Sequence, residues 1–376
     1  RDGGGVQGPA YEYIARLFAV SDLSDESESI LRWMTMVPYT GIDIALFYDI
    51  CQLDSYDEIN DLIAHSWLRL DEETDILSMH PVIADVVREQ LRPNVENGKT
   101  YIAGLWREVG SLWFKNQEER ARLWPYYARI IRDYYDPIPE LWTEFSYLEN
   151  NAWICARYSL SVELGHRFLN YTKETFPLDN EKIGIAANYL GGCYHNSGDD
   201  IHAEPFYEEG LECQKKAIRD DSGYDQWNQL SNAYQKVGRC AYLAGNYEKA
   251  EAYFRESMRI SEEKCSRQGY YCNAFLEMSS MYLRMGDHEN ALKFAEESKK
   301  LYDAMSGSDN PNSATALTNI GKCRTYLGDH AGAGNALEEA LRLNIRFNGS
   351  ASRQTFWAKE ALGDLAAAEG KPDEAL

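Results

Sequence analysis

Apolar residues return at helical spacing through most of this chain, and their pattern divides it into two textures. In the second half the apolar stretches are punctuated by five short strings: Gly198-Asp199, Gly245-Asn246, Gly286-Asp287, Gly328-Asp329 and Gly370-Lys371. Five residues after each glycine stands an alanine, at 203, 250, 291, 333 and 375. Seven residues before each stands a small residue: Gly191, Gly238, Ser279, Gly321 and Gly363. A glycine in the left-handed region ends one helix and turns the chain into the next. The small residue and the alanine allow two antiparallel helices to approach closely. Large side chains such as Val237 with Phe254, or Ile320 with Leu337, fill the remaining contacts. The pattern predicts helical hairpins, none of which buries its apolar face alone, so they must stack. The first spacing, 47 residues against 41 and 42 afterwards, predicts a longer connection around Asp220–Tyr224.

The first ninety-odd residues read differently. Ser24 caps a helix through Ile30, Leu31, Trp33 and Met34, which Pro38 and Gly41 break. A second helix starts near Asp43 and carries Leu46, Phe47 and Ile50. A third runs from Tyr56 to His65, with Ile59, Leu62 and Ile63 inward. Two short apolar runs, Trp67–Leu70 and Ile76–Met79, flank an acidic turn and predict a β-hairpin. His80-Pro81 then opens a helix through Ile83, Val86, Val87 and Leu91. Three helices and a hairpin make a winged-helix unit. Between the two textures, residues rich in Trp and Tyr, among them Trp106, Tyr127, Trp142 and Phe145, predict degenerate helical hairpins. The expected division is 1–20 as a linker or the end of a preceding helical domain, 21–97 as the winged helix, 98–180 as the degenerate hairpins and 181–376 as the repeat solenoid. The fold class expected is mainly α.

Charge changes the meaning of the winged helix. The chain has 38 Lys and Arg against 60 Asp and Glu, a net charge of −22. Residues 1–95 alone hold 18 acidic and 6 basic residues. Asp57, Glu58 and Asp61 would face phosphates from the recognition helix, and Asp71–Asp75 from the wing, so DNA and other nucleic acids are excluded as expected partners. No apolar run approaches the ~20 residues of a membrane span. Of the eight cysteines, Cys51, Cys155, Cys193, Cys213, Cys240, Cys265, Cys272 and Cys323, none forms a C-x-x-C pair. Free thiols in a reducing, cytoplasmic setting are the expectation, with no metal site.

The small–turn–alanine order resembles the tetratricopeptide repeat over residues 181–376. Its period near 42, with Asn310-Pro311 opening one unit, is similar to the longer-helix variety of kinesin light chains and of many bacterial signalling proteins. That resemblance implies a curved stack whose concave face is built from first helices and binds a protein ligand. Asn188, Gln235, Arg239, Asn319 and Lys322 are the candidate partner-binding residues. The last repeat is expected to be truncated.

In the first ninety-five residues, Leu17-Phe18, Pro38, Gly41-Ile42, Ile59-Asn60, Trp67-Leu68 and Met79-His80-Pro81 together resemble the winged-helix domain of NB-ARC-type STAND ATPases. The resemblance implies that His80 contacts the ADP phosphates and helps hold an off state. The bare residues equally allow a histidine that opens its helix and bonds locally. Pro81 replaces the aspartate usual in plant members, which leaves that residue's role uncarried. The G-x-x-x-x-G-K-[ST] loop is absent from this sequence, so ADP or ATP is expected only in a full-length parent, and none in this chain. The chain begins at Arg1 with a glycine-rich stretch, which fits the C-terminal part of such a parent. The implied role is that of a sensor in a bacterial NLR-like signalling ATPase, in antiphage defence or transcription regulation, oligomerising only with its ATPase domain. The alternative is a stand-alone tetratricopeptide adaptor with no nucleotide switch.

Catalytic constellations are lacking: no H-E-x-x-H, no G-x-S-x-G and no strand-to-helix G-x-G-x-x-G occurs. The histidines are scattered, and His288 and His330, just after their turn glycines, are expected to be solvated. A non-enzymatic chain is the expectation.

Overall fold

A computed structural model describes residues 9–18, 20–111, 121–146, 157–265, 270–350 and 352–371. Contacts divide the chain into two compact units, residues 1–113 with 120–151, and residues 114–119 with 152–376.

The first unit begins with α1 (Pro9–Leu17) and α2 (Asp25–Met36). Ser24 accepts a hydrogen bond from the Ser27 amide, and Asp25, Glu26 and Glu28 sit in the positive first turn, so the predicted cap is the one that forms. Ile30, Leu31 and Met34 are buried. Helix α3 (Ile44–Cys51) starts where Asp43 accepts from the Leu46 amide, and α4 (Asp57–Ala64) buries Ile59 and Leu62. Ile63 stays half-buried. The hairpin is β2 (Arg69–Asp71) with β3 (Ile76–Ser78), antiparallel. A third strand, β1 (Ile42–Asp43), was not anticipated. It pairs with the other edge of β3, Ile42 opposite Leu77, giving the order β1-β3-β2. Two residues carry no legible period, which is why β1 escapes a reading by alternation. Pro81 opens α5 (Pro81–Leu91), and α6 (Val95–Ser111) and α7 (Trp124–Asp133) follow. Tyr127, Trp142 and Phe145 are core residues.

The second unit starts with α8 (Tyr158–Thr175) and continues as paired helices: α9 (Asn180–Asn196) with α10 (Asp200–Ala217), α11 (Tyr224–Leu243) with α12 (Tyr247–Lys264), α13 (Tyr271–Met285) with α14 (His288–Ser306), and α15 (Pro311–Leu327) with α16 (His330–Asn348). Helix α17 (Arg353–Ala368) follows and packs on α16. The turn glycines 198, 245, 286, 328 and 370 all have positive φ, between 76° and 86°. The residue after each of the first four does a second job. Asp199, Asn246, Asp287 and Asp329 cap the next helix by accepting from its third amide. Ala203, Ala250, Ala291 and Ala333 are fully buried; Ala375 lies outside the described residues. A side chain on Gly238 would come 2.7 Å from the buried Phe254 ring, so the helices touch there.

The long first spacing is only partly a connection. Residues 218–223 are two more than residues 307–310, but α11 has 20 residues against 17 in α15. At the later junctions α14 and α16 end on Gly307 (φ 77°, ψ 164°) and Gly349 (φ 86°, ψ 159°), a conformation open to glycine alone. His288 departs from the expected solvated position. It is half-buried and stacks on Tyr326, ring centroids 4.3 Å apart, and His330 is half-buried as well. Seven cysteines are free thiols, and burial pushes Cys240 and Cys323 up to about 12, so they act as small apolar residues. Cys155 lies outside the described residues.

Candidate recognition groove

Successive first helices of the second unit, α9, α11, α13, α15 and α17, pack directly on one another, more closely than successive second helices do. An array whose first helices crowd together curves toward them, so they form its inner face. The repeat register then decides which side chains reach that face.

The position three before the small residue points into the hairpin. Asn188 on α9 is 3% exposed, and a side chain on Gly210 of α10 would meet its amide oxygen at 2.6 Å. Its amide nitrogen and oxygen form no hydrogen bond. Gln235 on α11 is 1% exposed. It donates to the Ser257 hydroxyl at 2.7 Å and the Tyr270 carbonyl at 2.8 Å, and it accepts from Asn273 at 2.6 Å. The expectation that Asn188 and Gln235 contact a partner is therefore corrected: both amides are sealed inside the array.

The neighbouring positions do reach the inner face. Arg239 on α11 bridges its neighbours, 3.5 Å from His195 Nε2 on α9 and 3.7 Å from Glu277 on α13. Burial raises the Glu277 pKa against the pull of Arg239. One turn away, burial and then Arg239 push Lys236 down to about 7, and its ammonium donates to the Asn188 carbonyl at 3.5 Å. His195 accompanies Asp200 at 2.5 Å, but burial, with Arg239, lowers its pKa overall.

Asn319 and Lys322 on α15 are brought together. Asn319 donates to the Ser279 and Ser280 hydroxyls of α13, at 3.3 and 3.1 Å, and Lys322 lies 3.8 Å from Glu360 of α17. With Thr315, Gln354 and Trp357 they line a groove of about 160 Å³. Trp357 is 40% exposed, an aromatic ring beside an amide and an ammonium. Thr315 and Trp357 were missed from sequence. Both stand six residues before the small position, and that offset, applied down the repeats, would have found them.

Residues 184–263 and 270–346 match the family model of the tetratricopeptide repeat. The two stretches are tetratricopeptide repeats. The array they form is a protein-interaction module. Photosystem I assembly protein Ycf3 of Acaryochloris marina (strain MBIC 11017) is 30% identical over 118 residues, 31% of this chain. This chain spans 64% of that protein's length. The apo form of RapI resembles the chain with a TM-score of 0.52 at 13% identity, over 73% of this chain and 93% of its own. TPR-like repeats of a kinesin light chain candidate from Podosopora anserina give 0.44 at 14%, over 56% and 98%. The likeness to RapI is one of fold. Among the described residues no helix is long and apolar enough to cross a membrane, and no three His, Cys, Asp or Glu side chains gather as a metal site.

His80 stands in the first unit, at the start of α5. It is exposed, its Nδ1 accepts from the Val82 amide at 3.3 Å, and Met79 before it is buried. This is the local bond that the bare residues allowed as the alternative to a nucleotide contact.

Proposed function

We propose that this chain is the sensor part of a STAND-type signalling ATPase, binding a protein trigger on its repeats and relaying the event through a winged helix in its first unit. The observation that carries the recognition role is the groove at α13, α15 and α17, where Lys322, Asn319 and Trp357 offer charge, amide and ring on one surface. The winged-helix reading draws support from helices α2 to α4 with the three antiparallel strands, and from Met79-His80 at the end of β3. ADP in the parent protein fits His80 in one respect. Because Nδ1 accepts from Val82, the neutral ring carries its proton on Nε2, which leaves a donor for a phosphate oxygen. Bound ADP would supply the anionic phosphate whose retention marks the off state; the chain supplies only the donor and its orientation. No catalytic step is assigned to the chain.

The test uses the protein that joins this chain to its ATPase domain. His80→Ala should speed ADP release about tenfold, the loss of one hydrogen bond to a charged group. Lys322→Glu with Trp357→Ala should abolish capture of a trigger that the parent protein retains, and leave ADP release unchanged. Unaltered ADP release in His80→Ala would remove the nucleotide role and favour the adaptor reading. Unaltered capture by the groove variant would remove the groove.

A further inference from the structure

Residues 1–95 are strongly acidic, yet two of their six basic residues, Arg88 and Arg92, line one cleft of the first unit together with Arg129. The cleft has a volume of about 580 Å³ and lies where the loop carrying Tyr39, the end of α5 and the helix α7 converge. Among the described residues, Asp133 is the one carboxylate in its lining.

The three guanidinium groups are not equivalent. Arg129 forms the floor and is fully engaged. It is 6% exposed, donates to the Thr35 carbonyl at 3.3 and 3.4 Å, and pairs with Asp133 at 2.6 Å. Asp133 is shared with Arg132 at 2.9 Å, so its charge is already consumed. Arg88 uses Nη1 on Asp85 at 2.6 Å and has the Tyr134 and Tyr39 hydroxyls beside it. Arg92 is exposed at the rim and has no ion pair among the described residues. Its backbone is left-handed, φ 44° and ψ 61°, at the C-cap of α5, where glycine would sit without strain. Tyr39, half exposed, presents its ring to two of these cations, with Arg129 at 5.0 Å and Arg88 at 5.7 Å from its centroid.

Three guanidinium groups and a tyrosine ring line one cavity, and of the three only Arg92 lacks an ion pair among the described residues. A bound anion would meet the charge of Arg92 directly and share the guanidinium of Arg88 at the cleft wall. Guanidinium forks suit the tetrahedral oxygens of phosphate, and the space exceeds what a bare phosphate fills.

We propose that this cleft binds the phosphate monoester of a small organic molecule, with Arg88 and Arg92 holding the phosphate and the Tyr39 ring receiving the organic part. The site is separate from the repeat groove and from His80.

The test is calorimetric titration of the full chain with phenyl phosphate, inorganic phosphate and benzoate. Phenyl phosphate should saturate one site, with inorganic phosphate weaker and benzoate weaker still. Arg92→Gly should weaken phenyl phosphate about tenfold, one charge-assisted contact. The same variant should raise the urea midpoint, since the left-handed strain is gone, which separates lost binding from lost fold. Arg88→Gln should weaken binding similarly. Absence of saturable binding at millimolar phenyl phosphate, equal affinity for benzoate, or undiminished binding in Arg92→Gly would each overturn the assignment.

Discussion

Two glycines, on helices α11 and α16, should respond in opposite directions to the same substitution. Gly→Ala inside a helix stabilises by about 1 kcal/mol through backbone entropy alone. At Gly334 the new methyl has room, its nearest neighbour being Leu365 Cδ2 at 3.7 Å, so Gly334→Ala should gain about that 1 kcal/mol. At Gly238 the methyl would lie 2.7, 3.0 and 3.1 Å from three atoms of the Phe254 ring. That ring is fully buried against Tyr242 and cannot swing away. Overpacking of this kind costs about 1–3 kcal/mol, so Gly238→Ala should be destabilising by up to about 2 kcal/mol net. The two variants should therefore differ by about 1–3 kcal/mol. Because stacked repeats open locally, native-state hydrogen exchange on α11–α12 and on α15–α16 is the suitable assay. Protection should fall in the first pair for Gly238→Ala and rise in the second for Gly334→Ala. Equal stabilisation by both would refute the claim that the small position is set by helix contact.

The two buried amides should also diverge. Asn188→Leu removes two polar atoms that have no partner, so the urea midpoint should hold or rise, whereas Gln235→Leu removes the three hydrogen bonds of a buried amide, to Ser257, Asn273 and the Tyr270 carbonyl, and should cost about 2 kcal/mol or more. Lys236 gives a pH signature. Its folded pKa, about 7, lies below the unfolded 10.5, so the unfolded chain holds the extra proton between those values, and the group's contribution to stability rises as pH climbs through that window. Lys236→Met should therefore be more stable than the wild type at pH 8, the gap closing toward pH 10; a gap that widens would contradict the burial of the ammonium.

The repeats were legible because three constraints recur at fixed offsets: a left-handed glycine, a small residue and an alanine. Five copies fix the register even where individual apolar residues differ. The inner face was only half legible. Asn188 and Gln235 look like surface amides in a string of letters, and only the packing of α9 and α11 against their partner helices buries them. Asn319 and Lys322 stand one and four positions further along the repeat and reach the groove. The first unit was read correctly at its helix caps, where chemistry is local, and missed at β1, whose pairing with Leu77 is non-local. The arginine cleft was invisible, because Arg88, Arg92 and Arg129 come from separate segments and mean nothing until folding gathers them.

Gly307 and Gly349 occupy equivalent junctions with nearly the same dihedral angles. Each sets the step by which one hairpin is rotated onto the next, and equal steps give a uniform pitch. A side chain at either site would leave both adjoining hairpins intact and re-aim everything downstream of it. The geometry of the array as a ruler is thus written in two residues that touch nothing in its core.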